Sequence, residues 1–250
     1  MNFEAIRLQS WYATPQGRTV ARVLGEALES WVRPRPLERT LGFGFVQPYL
    51  GHVISGREGA LGAAPAEMGV APWPPGGDNR ICLVRPNAQP FPDQSFDRVV
   101  VAHLLEGCGA PSLALREIWR ILRPGGRLFM IVANRGGLWA RHDSTPFGWG
   151  QPFSPRQLRT LLQNAVFVPH RCRYALFMPP FFQGRRFLHT AAAWEKAGER
   201  WFPRLGGGIL CEAEKVVYAG TPLRLEEQRV ARRSPAVWPV TNQQLPTLHR

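Results

Sequence analysis

The sequence predicts an α/β fold: a mostly parallel sheet of seven strands with helices on both faces. Residues 99–101 are three consecutive valines, a β-branched run that is typical of a strand covered on both faces. Residues 115–122 carry apolar side chains at helical spacing, and Pro124-Gly125-Gly126 follows them as a stop signal. A second apolar run begins at Leu128. Strand, helix and strand at this length form a βαβ unit, which requires parallel strands.

The rest of the chain alternates between helical and extended patterns in the same way. Further helices are predicted at residues 17–32, 154–164 and 185–201, and further strands at 37–41, 60–63, 80–84, 173–178 and 213–219. We therefore divide the chain into a helical lead-in (1–36), one α/β domain (37–220) and a basic tail (221–250) with a composition typical of disorder.

Composition limits the classes of protein to which the chain can belong. Of its 250 residues 44% are hydrophobic, which is enough for a sizeable core. No apolar run approaches the ~20 residues that span a bilayer, and the N-terminus lacks the apolar segment of a signal peptide. The net charge of +13 makes nucleic acid or an anionic membrane surface a possible partner. The arginines are spread from Arg7 to Arg250 and form no single basic stripe, so we rank that hypothesis last.

The four cysteines are scattered along the chain. They are Cys82, Cys108, Cys172 and Cys211, and no two of them have the close spacing of a metal-binding pair. This excludes a zinc ribbon, gives no support for a disulfide framework and predicts no metal site. We expect reduced cysteines and a cytoplasmic location.

Two sequence blocks in the middle of the chain resemble a known family. The blocks are Pro90-Phe-Pro-Asp-Gln-Ser-Phe-Asp97 and Arg116-Glu-Ile-Trp-Arg-Ile-Leu-Arg-Pro-Gly-Gly126, with His103 between them. They resemble class I S-adenosylmethionine-dependent methyltransferases, and most closely the branch related to ubiquinone-biosynthesis methyltransferases. The resemblance implies a Rossmann-like fold whose last strand is antiparallel beside the fifth. It also implies S-adenosylmethionine as cofactor and methyl transfer to an unidentified acceptor.

The resemblance assigns cofactor-binding positions to residues of this chain. Gly42, Phe43 and Gly44 are expected between the first strand and its helix, where the family holds the methionine end of the cofactor. A tight turn is the alternative role for these glycines. Gln47 stands where a dinucleotide-binding fingerprint needs its third glycine, which disfavours NAD.

Asn87 and Ala88 stand at the family's adenine position. The Asn87 carbonyl can accept from the adenine amine, and the Ala88 N–H can donate to a ring nitrogen. The acid that should accept hydrogen bonds from the ribose is not evident, because Glu58 lies before the predicted second strand and Glu67 lies after it.

His103 follows the fourth strand, and it is our candidate for cofactor contact and for catalysis by positioning substrate or accepting a proton. The alternative is a structural histidine. Arg135, Trp139 and His142 lie on a long loop, residues 134–151, where they are candidates for recognising a small acidic or aromatic acceptor. A solvated loop is the alternative. A methyltransferase fold kept as an inactive binding module is the second hypothesis for the whole chain, since the ribose acid is missing.

Overall fold

The computed structural model describes residues 4–32, 39–53, 60–74, 76–181 and 189–217. Seven strands form one sheet in the order β3-β2-β1-β4-β5-β7-β6. Their bounds are β1 Thr40–Gly44, β2 Ala60–Pro65, β3 Ile81–Val84, β4 Phe96–Ala102, β5 Leu122–Ala133, β6 Val168–Ala175 and β7 Gly208–Glu214. The first five strands run parallel to one another. The predicted fold class is confirmed.

Helices cover both faces of this sheet. They are α1 Ala5–Tyr12, α2 Pro15–Glu29, α3 Gln47–Val53, α4 Pro111–Ile121, α5 Pro155–Asn164 and α6 Ala191–Trp201. Buried side chains of α1, α2 and α3 pack with Val100 and Ile131 on one face of the sheet. Those of α4 and α5 pack with Val99 and Leu128 on the other face. Alternate residues of each central strand therefore enter two separate cores, which explains their continuous apolar runs.

The last strand is inserted between β5 and β6 and is antiparallel to both. This placement confirms what the family resemblance implied. It also brings Cys172 of β6 directly opposite Cys211 of β7, and the two form a disulfide. The expectation of unpaired cysteines is wrong for this pair. Their separation of 39 residues carries no signal in the sequence, because the pairing depends on which strands become neighbours in the sheet.

Several element boundaries differ from those predicted. β1 ends at Gly44 instead of residue 41, and β7 ends at Glu214 instead of residue 219. Helix α1 was not predicted at all, because its eight residues are too few to show a clear period. Residues 37, 38 and 182–188 and the predicted tail, 221–250, lie outside the described residues.

None of the helices in the described ranges combines the length and the apolar composition that a bilayer crossing requires.

Candidate functional site

A cavity of about 390 Å³ opens at the carboxyl edge of the parallel strands. It lies beyond the ends of β2, β3 and β4, the edge at which open α/β sheets bind ligands. Pro65, Pro86 and Leu104 mark the three strand ends in its wall. Its polar side chains include those of Glu67 and Asn87, and its volume is in the range of small-molecule sites, roughly 300–1,000 Å³.

Glu67 is the acidic residue of this cavity that the sequence analysis did not assign. The prediction ended the second strand at residue 63, whereas β2 continues to Pro65, so Glu67 follows the strand end closely. The Glu67 carboxylate also interacts electrostatically with the thiol of Cys108, another residue of the cavity wall. Burial raises the pKa of the Cys108 thiol, and the negative charge of Glu67 raises it further. A better estimate of where β2 ends would have identified this residue.

Asn87 and Ala88 lie in the turn after β3, and only Asn87 lines the cavity. The Ala88 N–H donates to the Arg85 carbonyl at 3.1 Å, so it is not directed at a ligand. The adenine contact expected for this N–H stays a prediction, and it would require this hydrogen bond to be given up. The Asn87 side chain is exposed and remains the candidate for adenine recognition.

Gly42, Phe43 and Gly44 are the last three residues of β1, and they do not form the expected loop between strand and helix. Phe43 packs in the core on the α4 and α5 side of the sheet. Gly44 has φ = +91°, and a Cβ there would collide with the Ala102 carbonyl. The Gly44 requirement is therefore steric, because it lets β1 and β4 approach at their ends. The cavity walls that the structure describes include none of these three residues.

His103 lies directly after β4 in the left-handed region, with φ = +50°, and is 1% exposed. Its Nε2 is 2.7 Å from the Tyr12 hydroxyl, which is also hydrogen-bonded to the Tyr49 hydroxyl. Burial lowers the pKa of His103 to about 3 and raises the pKa of both tyrosines. The imidazole is therefore neutral at neutral pH, and the cluster connects α1 and α3 to the end of β4.

Glu106 is a second buried polar residue after β4. Its Oε1 accepts from the Ala133 N–H at 2.7 Å, whereas its Oε2 has no hydrogen-bond partner among the described residues. Burial raises the pKa of this carboxyl to about 7. The negative charge of Glu106 also raises the pKa of Tyr12 and of Tyr49, so this acid interacts electrostatically with the cluster of Tyr12, Tyr49 and His103. The sequence analysis did not single out Glu106 as a site residue.

The three predicted acceptor-binding residues do not share one surface. Trp139 is 1% exposed, and its indole N–H donates to the Met178 carbonyl at 2.6 Å. Trp139 therefore packs inside the domain, and its predicted contact with the acceptor stays a prediction. Arg135 is exposed and donates to the Pro152 carbonyl, whereas His142 is half-buried with its ring near Phe181.

The two family-like sequence blocks contact each other through Arg120. Its guanidinium donates to the carbonyls of Gln89 and Phe91 and to the carboxylates of Asp93 and Glu117. Glu117 Oε2 also accepts from the Gln89 N–H at 2.9 Å. The most recognisable motif residues therefore hold the loop before β4 against α4. They support the cavity from outside and do not line it.

The middle of the chain is similar to a known protein family. Residues 74–130 match a family model described as a methyltransferase domain. A ubiquinone/menaquinone biosynthesis C-methyltransferase UbiE from Hahella chejuensis is 51% identical over 57 residues, 22% of this chain and 22% of that protein. Its counterpart from Pseudoalteromonas translucida is 46% identical over 53 residues, 20% and 21% of the two chains. The chain thus spans about a fifth of the length of the curated relatives it matches.

Solved structures share the whole fold at low sequence identity. A methyltransferase from Thermotoga maritima, described as a possible histamine N-methyltransferase, aligns with a TM-score of 0.56 at 19% identity, covering 83% of this chain and 93% of that one. The [4+2]-cyclase SpnF aligns with a TM-score of 0.51 at 21% identity, covering 79% and 81%. Such similarity shows the fold, and the fold alone does not determine the reaction. The family model and the curated relatives support, for the part of the chain that they match, the family that the motifs predicted, the S-adenosylmethionine-dependent methyltransferases, and the solved structures show the same class I fold.

Proposed function

We propose that this protein is a methyltransferase that binds the adenosine end of S-adenosylmethionine in the carboxyl-edge cavity. The observation that carries the proposal is the pairing of Glu67 and Asn87 on the wall of one cavity, beyond neighbouring strands. Glu67 would accept hydrogen bonds from the ribose hydroxyls, and Asn87 would bind the adenine amine. Gly109 lies on the same cavity wall.

S-adenosylmethionine supplies the methyl group as a sulfonium, so the protein needs mainly to align the acceptor and exclude water. We propose His103 as a positioning residue, because its neutral ring is hydrogen-bonded to the Tyr12 hydroxyl at the end of β4. Glu106 is the better base for an acceptor that must lose a proton, because the pKa of a general base should lie near the working pH. This replaces the general-base role considered for His103.

A small molecule is the proposed acceptor. The edge beyond β4 and β5 is covered by α1 and the 134–151 segment, whose aromatic side chains Tyr12, Trp139 and Phe147 are buried. A covered edge favours a compact acceptor over an extended polymer. His142, half-buried on the same segment, remains a candidate contact, as does Arg135. We retain a cytoplasmic location as a proposal, in which cellular thiols would keep the Cys172–Cys211 pair partly reduced.

Calorimetric titration with S-adenosylmethionine and with its demethylated product tests the proposal. We expect saturable 1:1 binding of both ligands, with a dissociation constant in the micromolar range. Replacing Glu67 by glutamine should weaken binding about tenfold, because one charged hydrogen bond to a hydroxyl contributes ~1.5–3 kcal/mol. The neutral amide still offers one oxygen acceptor, so binding should not be abolished.

Glu26→Gln is the matched control. It makes the same chemical change at an exposed position on α2, where the side chain is 58% exposed. No binding of either ligand at millimolar concentration would favour the inactive-module hypothesis, to which the comparisons give no support. Equal losses in both variants would show that Glu67 acts only through net charge, and the ribose assignment would fail.

A further inference from the structure

A second cavity, of about 430 Å³, lies at the opposite, amino-terminal edge of the sheet. Four arginines contribute to its wall: Arg98, Arg123, Arg127 and Arg171. Arg98 is the third residue of β4, whereas Leu104 of the first cavity lies beyond the last residue of that strand, Ala102. At ~3.3 Å per residue the strand from Arg98 to Ala102 alone separates the two edges by about 13 Å. The proposed methyl transfer uses no part of this second cavity.

Positive charge exceeds negative charge where β5, β6 and β7 meet in this wall. The guanidinium groups of Arg127 and Arg171 share the single carboxylate of Glu212, which is 1% exposed. Arg123 is paired with Asp97 at 2.8 Å. Glu214, the register partner of Arg127, bonds His170 and does not line the cavity. Among the residues that the structure describes, one positive charge therefore remains at the Arg127–Arg171 pair.

The environment of this charge favours an anion. Arg98 is 7% exposed, and its guanidinium donates to the neutral carbonyl of Val53. Arg171 is held over the Trp31 ring at 4.4 Å, which fixes its direction. A concave surface with an excess of one sign of charge concentrates the field of its groups, and guanidinium groups bind phosphate oxygens in pairs. The overall charge of +13 acts in the same sense.

We propose that the amino-edge cavity binds the phosphate or pyrophosphate group of a small phosphorylated molecule. Arg127 and Arg171 supply the excess positive charge, and Arg98 and Arg123 line the same cavity. The site is a discrete depression in which the arginines of three strands converge. This shape suits a single compact anion better than a polyanion that tracks along an extended stripe.

Calorimetric titration of the full chain with sodium pyrophosphate at low ionic strength tests the proposal. We expect saturable 1:1 binding that weakens about tenfold in Arg127→Gln, because one charge-assisted contact is lost. Arg22→Gln is the control, since the side chains of Arg22 and Arg127 are both 50% exposed, each is paired with a glutamate, and the net charge changes equally. Binding to Arg22→Gln should stay within about twofold of wild type.

Two further variants keep the test decisive. Arg127→Lys retains the charge but not the paired donors, and it should bind with intermediate affinity. If Arg127→Gln does not fold, Arg123→Gln takes its place, because Arg123 is 45% exposed and pairs with a partly exposed acid. Absence of saturable pyrophosphate binding to wild type would overturn the proposal. So would equal weakening in Arg22→Gln, or binding of a duplex oligonucleotide without binding of pyrophosphate.

Discussion

Reduction of the Cys172–Cys211 disulfide is expected to lower the free energy of unfolding by about 4 kcal/mol. The bond joins residues 39 positions apart, so its loss frees a long loop in the unfolded chain. The folded state should change little, because Cys211 is buried and the two strands stay paired by their backbone hydrogen bonds. Urea unfolding with and without reductant, followed by circular dichroism, measures the difference.

Cysteine variants separate the disulfide from other effects of the reductant. The double variant Cys172→Ala/Cys211→Ala should have the same free energy of unfolding as the reduced wild type, and reductant should not change that value. Cys82→Ala is the control, because Cys82 is a free, exposed cysteine. The free energy of unfolding of Cys82→Ala should fall on reduction by as much as that of the wild type. An unfolding free energy that does not depend on reductant in wild type would mean that the two thiols are not joined in solution.

Glu106→Gln is expected to stabilise the protein by about 3 kcal/mol at pH 8, although it removes a buried acid of the candidate site. Burial raises the pKa of Glu106 from 4.5 to about 7 in the folded state. Below pH 4.5 the group is protonated in both states and contributes nothing to the pH dependence. Between these two values the unfolded chain releases the proton first, so wild-type stability falls as the pH rises. Well above pH 7, Glu106 is ionised in both states and the wild-type protein has lost the full amount of stability.

The glutamine variant should show no such loss, because its amide does not ionise. Its oxygen can still accept from the Ala133 N–H, so at pH 4 the two proteins should differ by no more than about 1 kcal/mol. Chemical unfolding at several pH values measures the divergence, with Glu26→Gln as an exposed control. Parallel curves for wild type and Glu106→Gln would contradict the raised pKa.

The centre of the fold could be predicted because its signals are local. The Val99–Val101 run, the apolar face of α4 and the Pro124-Gly125-Gly126 stop lie within about thirty residues, and each follows from burial or backbone geometry alone. The position of β7 could not be obtained in this way. Its place between β5 and β6 is a property of the whole sheet, and only the family resemblance indicated it.

The site was harder to predict than the fold, because small errors in strand ends move polar residues into or out of it. β2 extends two residues beyond its predicted end at residue 63, and this brings Glu67 to the cavity. Conversely, β1 extends through Gly44, which places the Gly42–Gly44 segment inside the sheet. The Tyr12–Tyr49–His103 cluster joins three elements that are distant in sequence, and nothing local in the chain indicates it.

The insertion of β7 between β5 and β6 has a consequence for synthesis on the ribosome. β6 pairs only with β7 in the described sheet, so it cannot join the domain until residues 208–214 have been made. At ~5–20 residues per second, translation of the intervening segment 176–207 takes roughly two to six seconds. During this interval the outer edge of β5 offers unpaired backbone groups to any other extended chain nearby. The nascent protein is therefore most prone to mispairing just before its last strand emerges, and a chaperone that covers this edge would help most at that moment.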